Sequence, residues 1–285
     1  MTNTKVWITC SIIIATGLAL GLGVGLGLRS DCSSTTTTAA AATVPDLSQY
    51  RWVDLTYSFN NDTIYWPNSP SDFELDVLAF GITDGGYFYS ANTFCTPEHG
   101  GTHLDSPIHF AANKWTTEEI PLERLNGPGV VVDVTSKTQA DADYRLSLDD
   151  VLHFEQAYGM IPSKSILLLR TGWGDRYGNR VAYLGDDTPG ATDNLHFPSF
   201  GQEAARYLVE ERKVSVLGVD TASIDYGQSR NFSVHQIANK ANVPGLENVA
   251  NLDLLPPTGS WIIALPMKID MGSGGPARIV ALLPF

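Results

Sequence analysis

Beyond residue 128 the chain carries short runs rich in Val, Ile and Leu: Gly129–Val134, Ser165–Leu169, Val214–Val219, Trp261–Leu265 and Arg278–Leu283. Runs of this length and β-branched content, bounded by turn residues, predict strands. Helical patterns fall between some of them. Ser147 followed by Asp150 has the form of a capping box and predicts a helix running to Tyr158. Phe200, Ala204, Leu208 and Arg212 follow a four-residue step with Ala205 and Val209 alongside, which predicts an amphipathic helix leading into the strand at Val214. Ser233 with Gln236 is a second capping pair and places His235 in a first helical turn. The order is mixed rather than a regular strand–helix alternation. The expected fold is α/β, one domain over residues 46–285, with long ordered loops where Gly and Pro are frequent.

The amino end has a different pattern. Trp7 to Leu28 is 22 residues without a charge, flanked by Lys5 and Arg29. At about 1.5 Å per residue a helix of this length reaches about 33 Å, enough to cross a bilayer core of about 30 Å. Residues 1–29 are therefore expected to be a signal anchor or a cleaved signal peptide preceding the fold as an apolar helix. Residues 30–45, rich in Ser, Thr and Ala, read as a stalk. The implied placement is a single-pass membrane protein with its catalytic domain lumenal or extracellular, or a secreted protein. Asn61-Asp62-Thr63 and Asn231-Phe232-Ser233 are glycosylation acceptor patterns that would suit either placement.

Composition narrows the function. Apolar residues make up 43% of the 285 and charged residues 17%, which supports a packed core. With 18 basic and 31 acidic residues the net charge is −13, the wrong sign for a nucleic-acid tracker or a polybasic membrane-surface binder. Three cysteines without a C-x-x-C pair fit neither a disulfide scaffold nor a zinc ribbon.

The chemistry is concentrated in residues 97–110, Pro-Glu-His-Gly-Gly-Thr-His-Leu-Asp-Ser-Pro-Ile-His-Phe. Three of the six histidines, His99, His103 and His109, fall here with Asp105 between them. Imidazole and carboxylate are the ligands that suit zinc, manganese or iron. Gly100, Gly101 and Pro107 argue against a continuous helix and for a glycine turn that folds His99 back toward His103. His103 and Asp105, two apart, share one face of an extended segment. Scattered surface or core histidines would explain any one of these residues, but not readily the cluster. His109 is either a fourth ligand or a proton-transfer group. His235 and Glu247, twelve apart, are candidates to close the site from the opposite side. Trp66 and Phe94 are candidate walls for an aromatic substrate or simply core. His196 is a pocket wall or structural. Asp220 and Asp225 either orient ligands from behind or tie down a loop.

The run from His99 to His109 resembles the signature of the metal-dependent cyclase-like hydrolases, which include bacterial kynurenine formamidase and isatin hydrolase. Tyr65-Trp66-Pro67, Arg170-Thr171-Gly172-Trp173, the segment from Gly218 to Asp225, and Leu246-Glu247-Asn248 with Asn251-Leu252 support it, and the similarity extends from about Trp52 to Pro284. The resemblance implies a compact domain around a curved mixed sheet, of the swivelling β/β/α type, usually a homodimer in which N-terminal loops reach the partner's site. It implies metal ligands His99, His103 and Asp105, with His235 and Glu247 completing a second position, one or two ions, and His109 as the catalytic histidine. The expected activity is metal-dependent hydrolysis of an amide C–N bond, first an aryl formamide of the N-formylkynurenine type and alternatively a cyclic amide such as isatin. A membrane-tethered binding protein without turnover is the reading from another class.

Overall fold

The computed structural model describes residues 46–285. The expected apolar helix and stalk lie outside the described residues. The described residues form strands β1 (Tyr50–Asp54), β2 (Glu74–Ile82), β3 (Phe88–Cys95), β4 (His103–Asp105), β5 (Asn126–Asp133), β6 (Arg145–Leu146), β7 (Ile166–Arg170), β8 (Ser199–Phe200), β9 (Val216–Val219), β10 (Gly245–Glu247), β11 (Ser260–Pro266) and β12 (Gly274–Pro284). The α-helices are α1 (Thr135–Thr138), α2 (Leu148–Tyr158), α3 (Arg180–Leu184), α4 (Gln202–Arg206) and α5 (Ser233–Lys240).

The main sheet runs β1-β12-β11-β5-β7-β9-β10-β4, and β12 pairs with β4 to close it. Seven strands thus form a barrel-like ring, with β1 added along β12. Strands β5, β7, β9 and β10 are parallel, and β11, β12 and β4 join them antiparallel. A mixed, closed sheet is the curved sheet expected.

Side chains alternate across the ring with the period of two that strands impose. Val131, Ile166, Leu168 and Val216 point inward and meet Leu104, Leu246, Ile262, Ala264, Ile279 and Ala281. Their neighbours Val130, Val132, Leu167, Leu169, Leu217 and Val219 point outward, beneath Val151 and Phe154 of α2, Ala204 and Ala205 of α4, and Val234 and Ala238 of α5. Burial on both faces explains why β5, β7 and β9 read as uninterrupted apolar runs. The interior is tight: a Cβ at Gly218 would lie 2.6 Å from Leu168 Cδ2.

Helix α2 opens on the expected capping box, with Ser147 and Asp150 bonded reciprocally. The helix expected from Phe200 to Arg212 is α4 continued by one wider π turn, Tyr207–Glu211. The Ser233–Gln236 cap is not formed. Phe232, in a left-handed conformation (φ 48°), precedes α5, and the carboxylate of Asp225 takes the first free N–H groups instead.

Among the described residues no helix is long and apolar enough to cross a membrane. Helix α2, with eleven residues, spans about 16 Å, half a bilayer core. The expected single-pass membrane placement with a lumenal or extracellular domain is corrected on this point: the described residues offer no spanning element.

Candidate metal centre

The alternation that fills the ring also builds the site. On β4, Leu104 points into the interior, so His103 and Asp105 point outward. On β10, Leu246 points inward and Glu247 outward. The register sets His103 directly opposite Glu247. Asp105 is flanked by two glycines, Gly245 on β10 and Gly274 on β12. A Cβ at Gly274 would lie 2.6 Å from Cε1 of His99, so the bare backbone is what admits that ring. His99 reaches it from the Gly100-Gly101 turn, where Gly101 is left-handed (φ 56°) and a Cβ at Gly100 would collide with the Tyr65 ring. His109 ends a short 3-10 turn begun by Pro107, and His235 comes from the first turn of α5.

These groups converge on Asp105. Its Oδ1 lies 2.6 Å from His99 Nδ1 and 3.2 Å from His103 Nε2, and its Oδ2 lies 3.1 Å from His235 Nε2. Glu247 closes the far side, 3.3 Å from His235 Nε2 and 3.5 Å from His103 Nε2. The His109 ring stacks on His99 at 3.9 Å, whereas the His99 and His103 rings meet edge to face at 5.5 Å. The ligating atoms therefore fall into two overlapping groups that share Asp105: His99 with His109, and His103 with Glu247. The expected set of His99, His103 and Asp105 meets at Asp105 Oδ1, which faces both imidazoles. Stacking brings His109 to ligand distance of His99.

Each of the three imidazoles within bonding distance of Asp105 is held from behind by its other nitrogen. His103 Nδ1 bonds the Gly101 carbonyl at 3.0 Å, His235 Nδ1 bonds Asp225 at 2.8 Å, and His99 Nε2 bonds Ser273 Oγ at 2.9 Å. Backing of this kind is typical of metal-ligating histidines. Convergent imidazoles and carboxylates with their remaining atoms engaged elsewhere fit a divalent cation. Asp220, by contrast, accepts from Thr171 and Gly172 and ties down that loop.

The electrostatics agree. Burial favours the neutral form of His103, but the Asp105 hydrogen bond and the charges of Asp105 and Glu247 outweigh it and raise its pKa to about 9. Against the same burial penalty, Asp105, Asp225 and Glu247 hold His235 well above the ordinary histidine range. Asp105 is held well below the carboxylate range despite burial, through His109, His99 and its hydrogen bonds to His103 and His235. His109 is pushed down to about 4, chiefly by burial, with the neighbouring imidazoles adding repulsion against the pull of Asp105. The negative field that keeps protons on His103 and His235 would accept a cation in their place.

The site forms the floor of a cavity of about 390 Å³. Trp66 lines it, together with Phe110 and Phe232, which the sequence reading did not single out. Phe110 directly follows His109, and that adjacency was the available signal. Two expected wall residues lie elsewhere. Phe94 is exposed on β3 and stacks on Phe73, because β2 and β3 form a separate two-stranded ribbon. His196 is nearly half exposed and is taken up by Asp143 and Gln228 outside the cavity.

Comparison with known proteins gives the family. Residues 53–226 match the family described as "Putative cyclase". An isatin hydrolase of Roseibium aggregatum is 33% identical over 207 residues, covering 70% of this chain and 77% of that protein. The chain belongs to the cyclase family. A second cyclase-family relative, a kynurenine formamidase of Bacillus anthracis, is 25% identical over 233 residues, covering 81% of this chain and 96% of that protein. The solved structure of isatin hydrolase A from Ralstonia solanacearum superposes with a TM-score of 0.76 at 31% identity, covering 86% of this chain and all of that one. The resemblance drawn from the histidine signature is thus shown, and the closed mixed sheet is the cyclase-family fold.

Proposed function

We propose that the chain is a metal-dependent hydrolase of the amide C–N bond in a small aromatic substrate. The observation that carries this reading is the convergence of His99, His103, Asp105, His235, Glu247 and His109 on the floor of a cavity walled by Trp66, Phe110 and Phe232. His99, His103 and Asp105 would hold a zinc or manganese ion, with His235 and Glu247 available for a second. A divalent cation there supplies Lewis acidity, polarising the amide carbonyl and making water nucleophilic at neutral pH. His109, neutral at pH 7 because of its burial, takes the proton from water and returns it to the departing nitrogen. Water adds OH to the carbonyl carbon and H to nitrogen as the C–N bond breaks. The aromatic walls orient a flat substrate over the floor and exclude bulk water.

A ring amide of the isatin type takes precedence over the aryl formamide expected from the sequence. The relative named for isatin is 33% identical, against 25% for the one named for kynurenine formamide. The formamide keeps a place because that relative is covered over 96% of its length. The test is turnover of isatin and of N-formylkynurenine by the purified chain loaded with manganese or zinc. Metal-dependent opening of isatin supports the reading, and absence of turnover of both amides at full metal loading overturns it. A homodimer is part of the same reading. Val77, Phe80, Ile82 and Phe88 on the β2–β3 ribbon are exposed, and an isolated two-stranded ribbon is marginal without a surface to cover it.

A further inference from the structure

His99 is the member of the centre that no strand or helix holds. Its side chain is 29% exposed, against 3% for His103 and 4% for His235. What fixes it is a contact 174 residues away in sequence. Ser273, at the entrance to β12, places its hydroxyl 2.9 Å from His99 Nε2 and 2.5 Å from Glu98 Oε2. Its backbone N–H donates to the same Glu98 oxygen at 3.0 Å.

The hydrogen count decides the direction of these bonds. A carboxylate can only accept, and a serine hydroxyl has one hydrogen. That hydrogen goes to Glu98, so toward His99 the hydroxyl is an acceptor. Nε2 of His99 must then carry a hydrogen. In the neutral ring, Nδ1 is left with its lone pair facing Asp105 Oδ1 at 2.6 Å. Nδ1 and Asp105 Oδ1 at this distance share a proton or a metal ion, and a divalent cation would take the proton's place.

The scaffold around Ser273 is rigid. Its carbonyl accepts from Ser106 N at 2.8 Å, next to Asp105. Thr117 Oγ1 bonds the carbonyls of Gly272 and Gly274 on either side of it. Gly274 then packs directly on the His99 ring.

We propose that Ser273 and Glu98 are a positioning pair that sets His99 in the Nε2–H form and presents Nδ1 as a metal ligand. This rests on the reading of His99 as a ligand. The pair replaces the carbonyl that backs His103 and the buried carboxylate that backs His235.

The test is manganese and zinc affinity, by competition with a chelator, for the unmutated chain and for Ser273→Ala, Ser273→Thr, Glu98→Ala and His99→Ala, with thermal unfolding recorded for each. Ser273→Ala and Glu98→Ala are expected to lower affinity about 10- to 100-fold at unchanged Tm. Ser273→Thr, which keeps the hydroxyl, is expected to restore most of the loss. Nitrogen-15 shifts of the His99 ring in the zinc-loaded protein should report hydrogen on Nε2, and mixed tautomers in Glu98→Ala. If His99→Ala lowers affinity while Ser273→Ala and Glu98→Ala match the unmutated chain, the positioning pair is wrong and the ligand stands. If His99→Ala itself keeps full affinity, the ligand reading fails. Should Ser273→Ala not fold, Glu98→Ala decides alone, since Glu98 is partly exposed.

Discussion

One oxygen of Asp225, Oδ2, accepts both the backbone N–H of His235 at 3.0 Å and the Nδ1–H of its ring at 2.8 Å. The other oxygen accepts Val234 N–H. A single carboxylate therefore starts helix α5 and sets the imidazole that this helix delivers to the centre. Asp225→Asn keeps the shape but cannot accept both His235 bonds with one charged oxygen. Metal affinity is expected to fall about 10- to 100-fold, and stability by about 1 kcal/mol through the weakened helix start. Chelator competition and urea unfolding measure the two separately. Unchanged affinity would show that His235 needs no anchor.

In the proposed mechanism His109 acts in its neutral form. Its pKa is pushed down to about 4, mainly by burial, so the ring is neutral across the physiological range. A step that needs the neutral ring persists as pH falls and is lost as pH drops through that value. His109→Ala is expected to lower kcat by about 10²- to 10⁴-fold with metal content near normal. Metal analysis beside the kinetics discriminates: loss of metal together with activity would make His109 a ligand, as its stacking on His99 permits.

The parts of the fold that the sequence made legible share one property. Strands β5, β7 and β9 are buried on both faces and appear as continuous apolar runs, while α2 announces itself by the Ser147–Asp150 box. Strands β4 and β10 have three residues each and carry charge and glycine where a pattern would need apolar residues, so hydrophobic periodicity is blind to them. The centre was nonetheless readable, because His99, His103, Asp105 and His109 lie within eleven residues and the β4 alternation alone puts two of them on one face. What the pattern could not show was long-range. Asp225 replaces Ser233 as the cap of α5, Ser273 reaches His99 across 174 residues, and Phe94 points to solvent because β2 and β3 leave the main sheet.

Acid stability follows from a different carboxylate. The Arg212 guanidinium, with Ile161 N–H and Tyr207 OH, lowers Glu155 to about 2 against partial burial, from an ordinary value of 4.5. A carboxylate lowered by folding stabilises above its unfolded pKa, and that contribution disappears as pH falls from about 4.5 to about 2. Glu155→Gln should destabilise the chain at pH 7 and lose less additional stability between pH 5 and pH 3 than the unmutated chain. Urea unfolding at the three pH values measures this. Parallel losses in both proteins would mean that the pair with Arg212 contributes nothing.

The exposed ribbon predicts the assembly. Phe80 and Ile82 on β2 are 78% and 72% exposed, beside Phe88 on β3. Phe80→Asp with Ile82→Asp is expected to shift the chain from dimer to monomer in sedimentation velocity. A monomeric unmutated chain at micromolar concentration would remove the dimer from the functional reading.

Glu247 bears on how many ions the proposed centre would hold. Its Oε1 accepts Ile224 N–H at 2.8 Å and lies 3.3 Å from His235, while Oε2 lies 3.5 Å from His103. Asp105 faces His99 and His103 with one oxygen and His235 with the other. Two carboxylates thus stand on opposite sides of the imidazoles, each able to serve two positions. Paired cations about 3.5–4 Å apart repel, so a second ion depends on this negative charge. Glu247→Gln removes the charge and keeps an oxygen for Ile224 N–H, so the fold should survive. The variant is expected to retain one manganese or zinc ion and to bind the second much more weakly. Calorimetric titration of both proteins counts the sites. A single equivalent in the unmutated chain at saturating metal would leave Glu247 as at most a ligand of a mononuclear centre, with Asp105 serving one ion alone.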